Sequence, residues 1–297
     1  MQLVTGFDHY RDHLLPIWDA LPADLRTKDH GARTCADRNA LLLVGGWADV
    51  ERHPYNPYVY VEHGVGQTYV GVNSPAYVGG RGHRGAKLFV CPSERVADVW
   101  RDAYPHIPTV VVGCPKLDPW LSGRRGSPLP GERTVAVTFH WDCKVVPATR
   151  SAWSHYRNGM HETVLTWRRQ GWEVLGHGHP RMWDRLRTEW SAIGVEPVQD
   201  CAEVLDRANL LVADNTSLMA EFIALNRPVL ALSCPHYNGA GIHGGRFGQW
   251  GIPEVDGHEQ LRSIVLDSVP VSTFEPYALN DGHAAQRAAA AITELIR

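Results

Sequence analysis

Short apolar runs alternate with amphipathic stretches along this chain. Apolar runs at 2–4, 41–44, 58–61, 88–91 and 109–112 read as strands, and helical spacing of apolar positions lies at about 8–21, 94–103 and 116–121. A second, more regular series follows. Its strands fall at 134–139, 172–175, 197–198, 210–213 and 229–232, and its helices at 154–169, 181–192, 202–207, 217–225 and 260–266. The alanine-rich stretch 284–296 is a helix on propensity. Strand–helix alternation of this kind predicts parallel sheets with crossover helices, an α/β fold. The stretch SGRRGSPLPGER at 122–133 is polar, rich in Gly and Pro and without periodicity, so it reads as a linker. The expected organisation is a domain over 1–122, a linker over 123–133 and a second domain over 134–297.

Composition narrows the class. Hydrophobic residues make up 44% and charged residues 21%, as in a soluble globular protein. A chain of 297 residues can bury its core without a metal or disulfides. The net charge of −3 offers no general attraction to nucleic acid or to an anionic membrane. The six cysteines, Cys35, Cys91, Cys114, Cys143, Cys201 and Cys234, form no C-x-x-C pair and are expected to be reduced, as in a cytoplasmic protein. The N-terminus lacks a basic segment followed by an apolar one, so no signal peptide is expected. No stretch is long enough to span a membrane, which leaves only peripheral contact open.

Candidate chemistry concentrates where strands end. After the run at 210–213 come Asp214, Asn215, Thr216 and Ser217, and a helix starts at once. The first N–H groups of a helix lack intrahelical partners and suit a phosphate, although a plain N-cap reads the same way. Glu221, one turn on, is placed to meet a ribose hydroxyl or to face solvent. Thr138 and His140 follow the strand that opens the second domain and are candidate donor contacts. Arg246 sits in a glycine-rich stretch, and Arg is the natural bidentate partner of phosphate. In the first half, Glu62 and His63 close a strand, followed by Gly64, Gly66 and Gln67; the glycines permit close backbone approach. The run Gly80-Arg81-Gly82-His83-Arg84-Gly85 fits a dinucleotide fingerprint literally but precedes its strand, so it reads as a basic loop.

The segment DNTSLMAEFIALNRPVLAL resembles the signature of bacterial CDP-glycerol glycerophosphotransferases of teichoic-acid synthesis. Four other places agree in order: Glu62-His63-Gly64, the turn Gly113-Cys114-Pro115-Lys116-Leu117-Asp118, His179-Pro180, and Arg246-Phe247. The resemblance spans roughly 58 to 251 and implies a GT-B fold: two Rossmann-like domains with parallel sheets facing a central cleft. The alanine-rich last helix is expected to pack back on the first domain, as in many two-domain transferases. It makes His63 the general base, with Glu62 as a second candidate or an orienting partner, and His179 a contact to the donor's phosphates. Lys116 and Asp118 fall on a loop near the cleft.

The expected activity is transfer of a glycosyl or glycerophosphate group from a nucleotide-diphosphate donor to an acceptor hydroxyl. The first domain is short for this family, which favours a glycosyltransferase. A sugar-nucleotide 2-epimerase and a non-catalytic nucleotide-sugar-binding module are the other readings. The acceptor is open: a glycan, teichoic acid, a lipid, a protein or modified DNA. No Asp-x-Asp pair occurs, so no metal and no further cofactor is expected beside the donor.

Overall fold

The computed structural model describes residues 1–6, 8–27, 35, 37–65, 74–76, 78–129, 131–142, 150–235 and 250–297. The chain forms two compact units, Met1–Arg124 together with Pro276–Arg297, and Arg125–Glu275.

In chain order the first unit contains β1 (Gln2–Leu3), α1 (Asp8–Ala20), β2 (Leu42–Val44), α2 (Trp47–Arg52), β3 (Tyr58–Val61), β4 (Ala86–Cys91), α3 (Glu94–Ala103), β5 (Thr109–Val111) and α4 (Asp118–Leu121). The second contains β6 (Thr134–Phe139), α5 (Trp153–Arg169), β7 (Glu173–Gly178), α6 (Trp183–Ala192), β8 (Glu196–Pro197), α7 (Cys201–Arg207), β9 (Leu210–Ala213), α8 (Leu218–Ala224), β10 (Val229–Ser233), β11 (Glu254–Asp256) and α9 (His258–Ser263). Helix α10 (Ala284–Ile296) returns to the first unit. Helix α2 and strand β11 have no counterpart in the sequence reading; both are short, with too few apolar positions to show a period.

The first sheet is parallel throughout, in the order β1-β2-β3-β4-β5. Alternate residues serve opposite faces. Leu43, Val59, Val61, Leu88 and Val90 pack against Leu14, Ile17 and Trp18 of α1 and Ala285, Ala288 and Ile292 of α10. On the other face Phe89 stacks on Trp100 of α3, with ring centroids 4.2 Å apart. Helix α3 starts because the Ser93 side chain accepts the N–H of Val96, and its apolar stripe is Val96, Ala97 and Trp100.

Helix α10 has no capping side chain of its own at His283. Asp118 supplies the cap from outside, its two carboxylate oxygens accepting the N–H groups of Ala284 at 3.0 Å and Ala285 at 2.8 Å. Gly113 lets the returning chain approach: its φ is +91°, and a Cβ there would lie 2.6 Å from the Ala278 carbonyl oxygen.

The second sheet is also parallel, in the order β11-β10-β9-β6-β7-β8. Counted from β6, and read from the far edge, that is the 3-2-1-4-5-6 order of a doubly wound dinucleotide-binding sheet. Tyr156, Met160, Val164 and Trp167 of α5 and Leu186 and Trp190 of α6 pack on Val135, Val137, Phe139 and Val174. Strand β7 runs on to Gly178, beyond the expected 172–175. Gly176 and Gly178 make room there: a Cβ at 176 would lie 2.3 Å from the Trp190 ring, and one at 178 would lie 2.1 Å from Leu186.

Candidate functional site

In the second unit the switch point lies between β6 and β9, where crossovers leave in opposite directions. Open α/β sheets bind ligands at such a point, beyond the C-terminal strand ends. His140 follows β6, and Asp214 to Ser217 follow β9. Asp214 is fully buried and acts on the protein rather than on solvent. Its carboxylate accepts the N–H of His140 at 2.7 Å, the N–H of Ala152 at 2.8 Å and the Ser151 hydroxyl at 3.4 Å. Burial pushes its pKa up to about 7 against the pull of these donors. It therefore ties the exits of β6 and β9 to the start of α5, a positioning role where the sequence reading expects a donor contact. Asn215 and Glu221 are buried as well, the latter overturning the solvent-facing alternative.

Thr216 and Ser217 are half-buried. The Thr216 hydroxyl accepts the N–H of Leu218 at 3.3 Å, whereas the Ser217 side chain makes no capping bond. Across β6, at the end of β7, His179 accepts the N–H of Arg181 on Nδ1 at 3.1 Å. That bond assigns the proton of the neutral ring to Nε2, leaving it a donor suited to an anion. The His140 and His179 rings have centroids 5.2 Å apart. Trp141 lies 6.0 Å from His179, and the Arg181 guanidinium sits 4.3 Å above the Trp141 ring. The sequence reading misses Arg181; its signal is a basic residue two places beyond a strand-end histidine.

Thr138 does not join this group. Its hydroxyl is buried against His177, on the sheet face away from Phe139, because side chains alternate along β6. Arg246, Gly66 and Gln67 lie outside the described residues.

In the first unit the end of β3 sends its residues to opposite faces. His63 lies among side chains of α1, with ring centroids 4.6 Å from Tyr10, 6.3 Å from His9 and 6.5 Å from His13. Burial first, then the nearby His9, pulls its pKa down to about 3 despite a hydrogen bond with the Gly45 backbone. The ring is neutral at pH 7. His13 is depressed too, by burial and then by Lys116, His63 and His9, which places Lys116 beside this cluster. The histidines at 9 and 13 are missed by the sequence reading, although their spacing of four on a helix puts them on one face.

Glu62 turns the other way. Its carboxylate accepts the Trp100 indole N–H at 3.1 Å, and burial raises its pKa to about 8. It is a protonated acid at pH 7, held on the face opposite the His63 ring, so the orienting role offered for it does not fit. Gly64, at φ +110°, turns the chain after His63 as only glycine readily can. Asp118 is the α10 cap, a structural task in place of the one expected of it.

Among the described residues no group of three or more His, Cys, Asp or Glu side chains could hold a metal ion, and no helix is long and apolar enough to cross a membrane.

No protein-family model and no curated protein matches the chain. Solved structures do. A putative UDP-N-acetylglucosamine 2-epimerase from Listeria monocytogenes aligns with a TM-score of 0.66 at 14% identity, covering 99% of this chain and 96% of that one. The Methanocaldococcus jannaschii UDP-GlcNAc 2-epimerase, in complex with UDP-GlcNAc and UDP, aligns at 0.62 and 11% identity, covering 99% of each chain. The wall teichoic acid polymerase TagF aligns at 0.62 and 12%, covering 100% of this chain and 88% of that one. At such identities the likeness is one of fold. The two parallel-sheet α/β units are GT-B-like, as the resemblance to glycerophosphotransferases implied.

Proposed function

We propose that this chain is a transferase that uses a nucleotide-diphosphate-activated donor. The observation that carries the reading is the convergence of His140, His179 and the Thr216–Ser217 turn on the switch point of the second sheet. The donor's diphosphate takes hydrogen bonds from the His179 Nε2–H and from the turn before α8, with Arg181 as a nearby cation. These groups meet the phosphate charge in place of a divalent ion. Charge that develops on the departing nucleotide is stabilised by the same donors.

His63 serves as the general base toward the acceptor hydroxyl. A neutral imidazole keeps the lone pair that a general base needs, and burial holds the His63 ring neutral with a pKa of about 3. Attack at an anomeric carbon makes the enzyme a glycosyltransferase. Attack at phosphorus makes it a glycerophosphotransferase.

The test is a thermal-shift screen of nucleoside diphosphates and their sugar and glycerol conjugates, with and without chelator. A ligand of the native state raises the melting temperature by mass action. A response to a diphosphate sugar supports glycosyl transfer, and one to CDP-glycerol supports the other chemistry. No response to any nucleotide sinks the proposal. The epimerase-like folds favour one second reading, a sugar-nucleotide epimerase. Conversion of a donor to its epimer without any acceptor would select it.

A further inference from the structure

Below the strand ends that carry His140 and His179, a second set of side chains lies in line. Thr138 on β6 and His177 on β7 are register partners. The Thr138 hydroxyl and His177 Nδ1 are 2.7 Å apart. On the far side of the ring, His177 Nε2 lies 3.6 Å from the sulfur of Cys201, the first residue of α7. Thr138 and His177 are buried, 1% and 5% exposed, while Cys201 is half-buried. With Nδ1–H donated to the Thr138 oxygen, Nε2 accepts the thiol proton. A hydroxyl orients the ring, the ring takes a proton, and the sulfur becomes a nucleophile.

We propose that Cys201, His177 and Thr138 form a thiol relay whose sulfur is oxidised by hydrogen peroxide to a sulfenic acid. The thiol proton passes to His177 Nε2. The thiolate attacks the nearer peroxide oxygen, a sulfur–oxygen bond forms and the oxygen–oxygen bond breaks. The departing hydroxide takes the proton back from the imidazolium and leaves as water. Sulfur is oxidised by two electrons and the peroxide is reduced by two. The half-buried position of Cys201 favours so small an oxidant over a bulky electrophile. The acids beside Cys201 on its own helix are already engaged. Asp200 accepts the N–H of Ala202 at 2.8 Å, and Glu203 accepts from Arg207 at 2.8 Å. The added oxygen disturbs His177 and Thr138, each two residues before a proposed donor-binding histidine.

Cys35 is the internal reference, because its thiol donates to oxygens, Gln2 Oε1 at 2.8 Å and the Asp37 carbonyl at 3.2 Å, while the neighbouring His53 Nε2 is taken by the Cys35 backbone N–H at 3.0 Å. The full chain is treated with hydrogen peroxide at pH 7, and sulfenic acid is trapped with dimedone and mapped by peptide mass spectrometry. Cys201 is expected to label about fivefold or more faster than Cys35, because its thiol faces the His177 Nε2 whereas the Cys35 thiol faces oxygens. His177→Gln brings the Cys201 rate down to that of Cys35, and Thr138→Val lowers it partway. Misfolding of His177→Gln would show as labelling of the buried Cys91, Cys114 and Cys234, and Thr138→Val then carries the test. Equal labelling of Cys201 and Cys35 overturns the relay. So does a Cys201 rate that a folded variant leaves unchanged.

Discussion

The carboxylate of Asp214 accepts the backbone N–H of Ala152, 62 residues earlier in the chain, over 2.8 Å. The same side chain holds His140 at 2.7 Å, so one buried acid sets both exits at the switch point. Asp214→Ala would leave the buried N–H of Ala152 and the part-buried N–H of His140 unpaired, at about 1–3 kcal/mol for a buried group. Urea denaturation should show a loss of about 2–4 kcal/mol. A loss below about 0.5 kcal/mol would mean that the anchor is dispensable.

Glu62 makes stability depend on pH with a definite sign. The native side chain keeps its proton to about pH 8, whereas the unfolded one releases it near 4.5. Between those values the native state binds more protons, so this group's contribution falls as pH rises. Glu62→Gln removes the effect. The variant should gain on the wild type with rising pH, by up to about 3 kcal/mol near pH 7. Urea midpoints at pH 5, 6, 7 and 8 would test this, and a constant gap between the two proteins contradicts it.

His63→Ala should separate binding from chemistry. Turnover is expected to fall about 100-fold or more, while the donor-induced thermal shift persists. Unchanged turnover removes His63 from the mechanism.

His179→Ala and Arg181→Leu address the donor instead. Each should weaken binding of a nucleoside diphosphate about tenfold in calorimetry, the loss of one hydrogen bond or ionic contact to phosphate. Equal affinity in both variants would move the diphosphate away from the end of β7.

Much of this was legible along the chain. Apolar runs mark the strands because a parallel sheet is buried on both faces, and strands β3, β6 and β9 fall where the pattern puts them. The apolar pattern of β7 ends at 175 because Gly176 and Gly178 carry no apolar side chain; only the bulk of Trp190 and Leu186 against them explains the glycines. The histidine at the end of β3 stood out, but its companions on α1 did not, since their proximity to His63 is a tertiary fact. Asp118 reads as a site residue from its motif alone. Its partners are 166 and 167 residues away, beyond the reach of any local pattern.

Asp118→Ala tests that last assignment. Loss of a cap costs about 1–2 kcal/mol and should fray the first turn of α10. Hydrogen exchange at 284–288 should accelerate while the rest of the chain stays protected. Uniform exchange throughout would deny Asp118 this role.

That same cap has a consequence for how the molecule is made. The second unit, Arg125–Glu275, is one unbroken stretch, whereas the first closes only when Pro276–Arg297 arrives. On the ribosome, domains form as their residues emerge. The unit at 125–275 can therefore finish before the one that precedes it, and the apolar sheet face that α10 covers stays open until residues 276–297 have emerged. A chain broken off before residue 284 would leave the first sheet without that cover, although its strands were made long before.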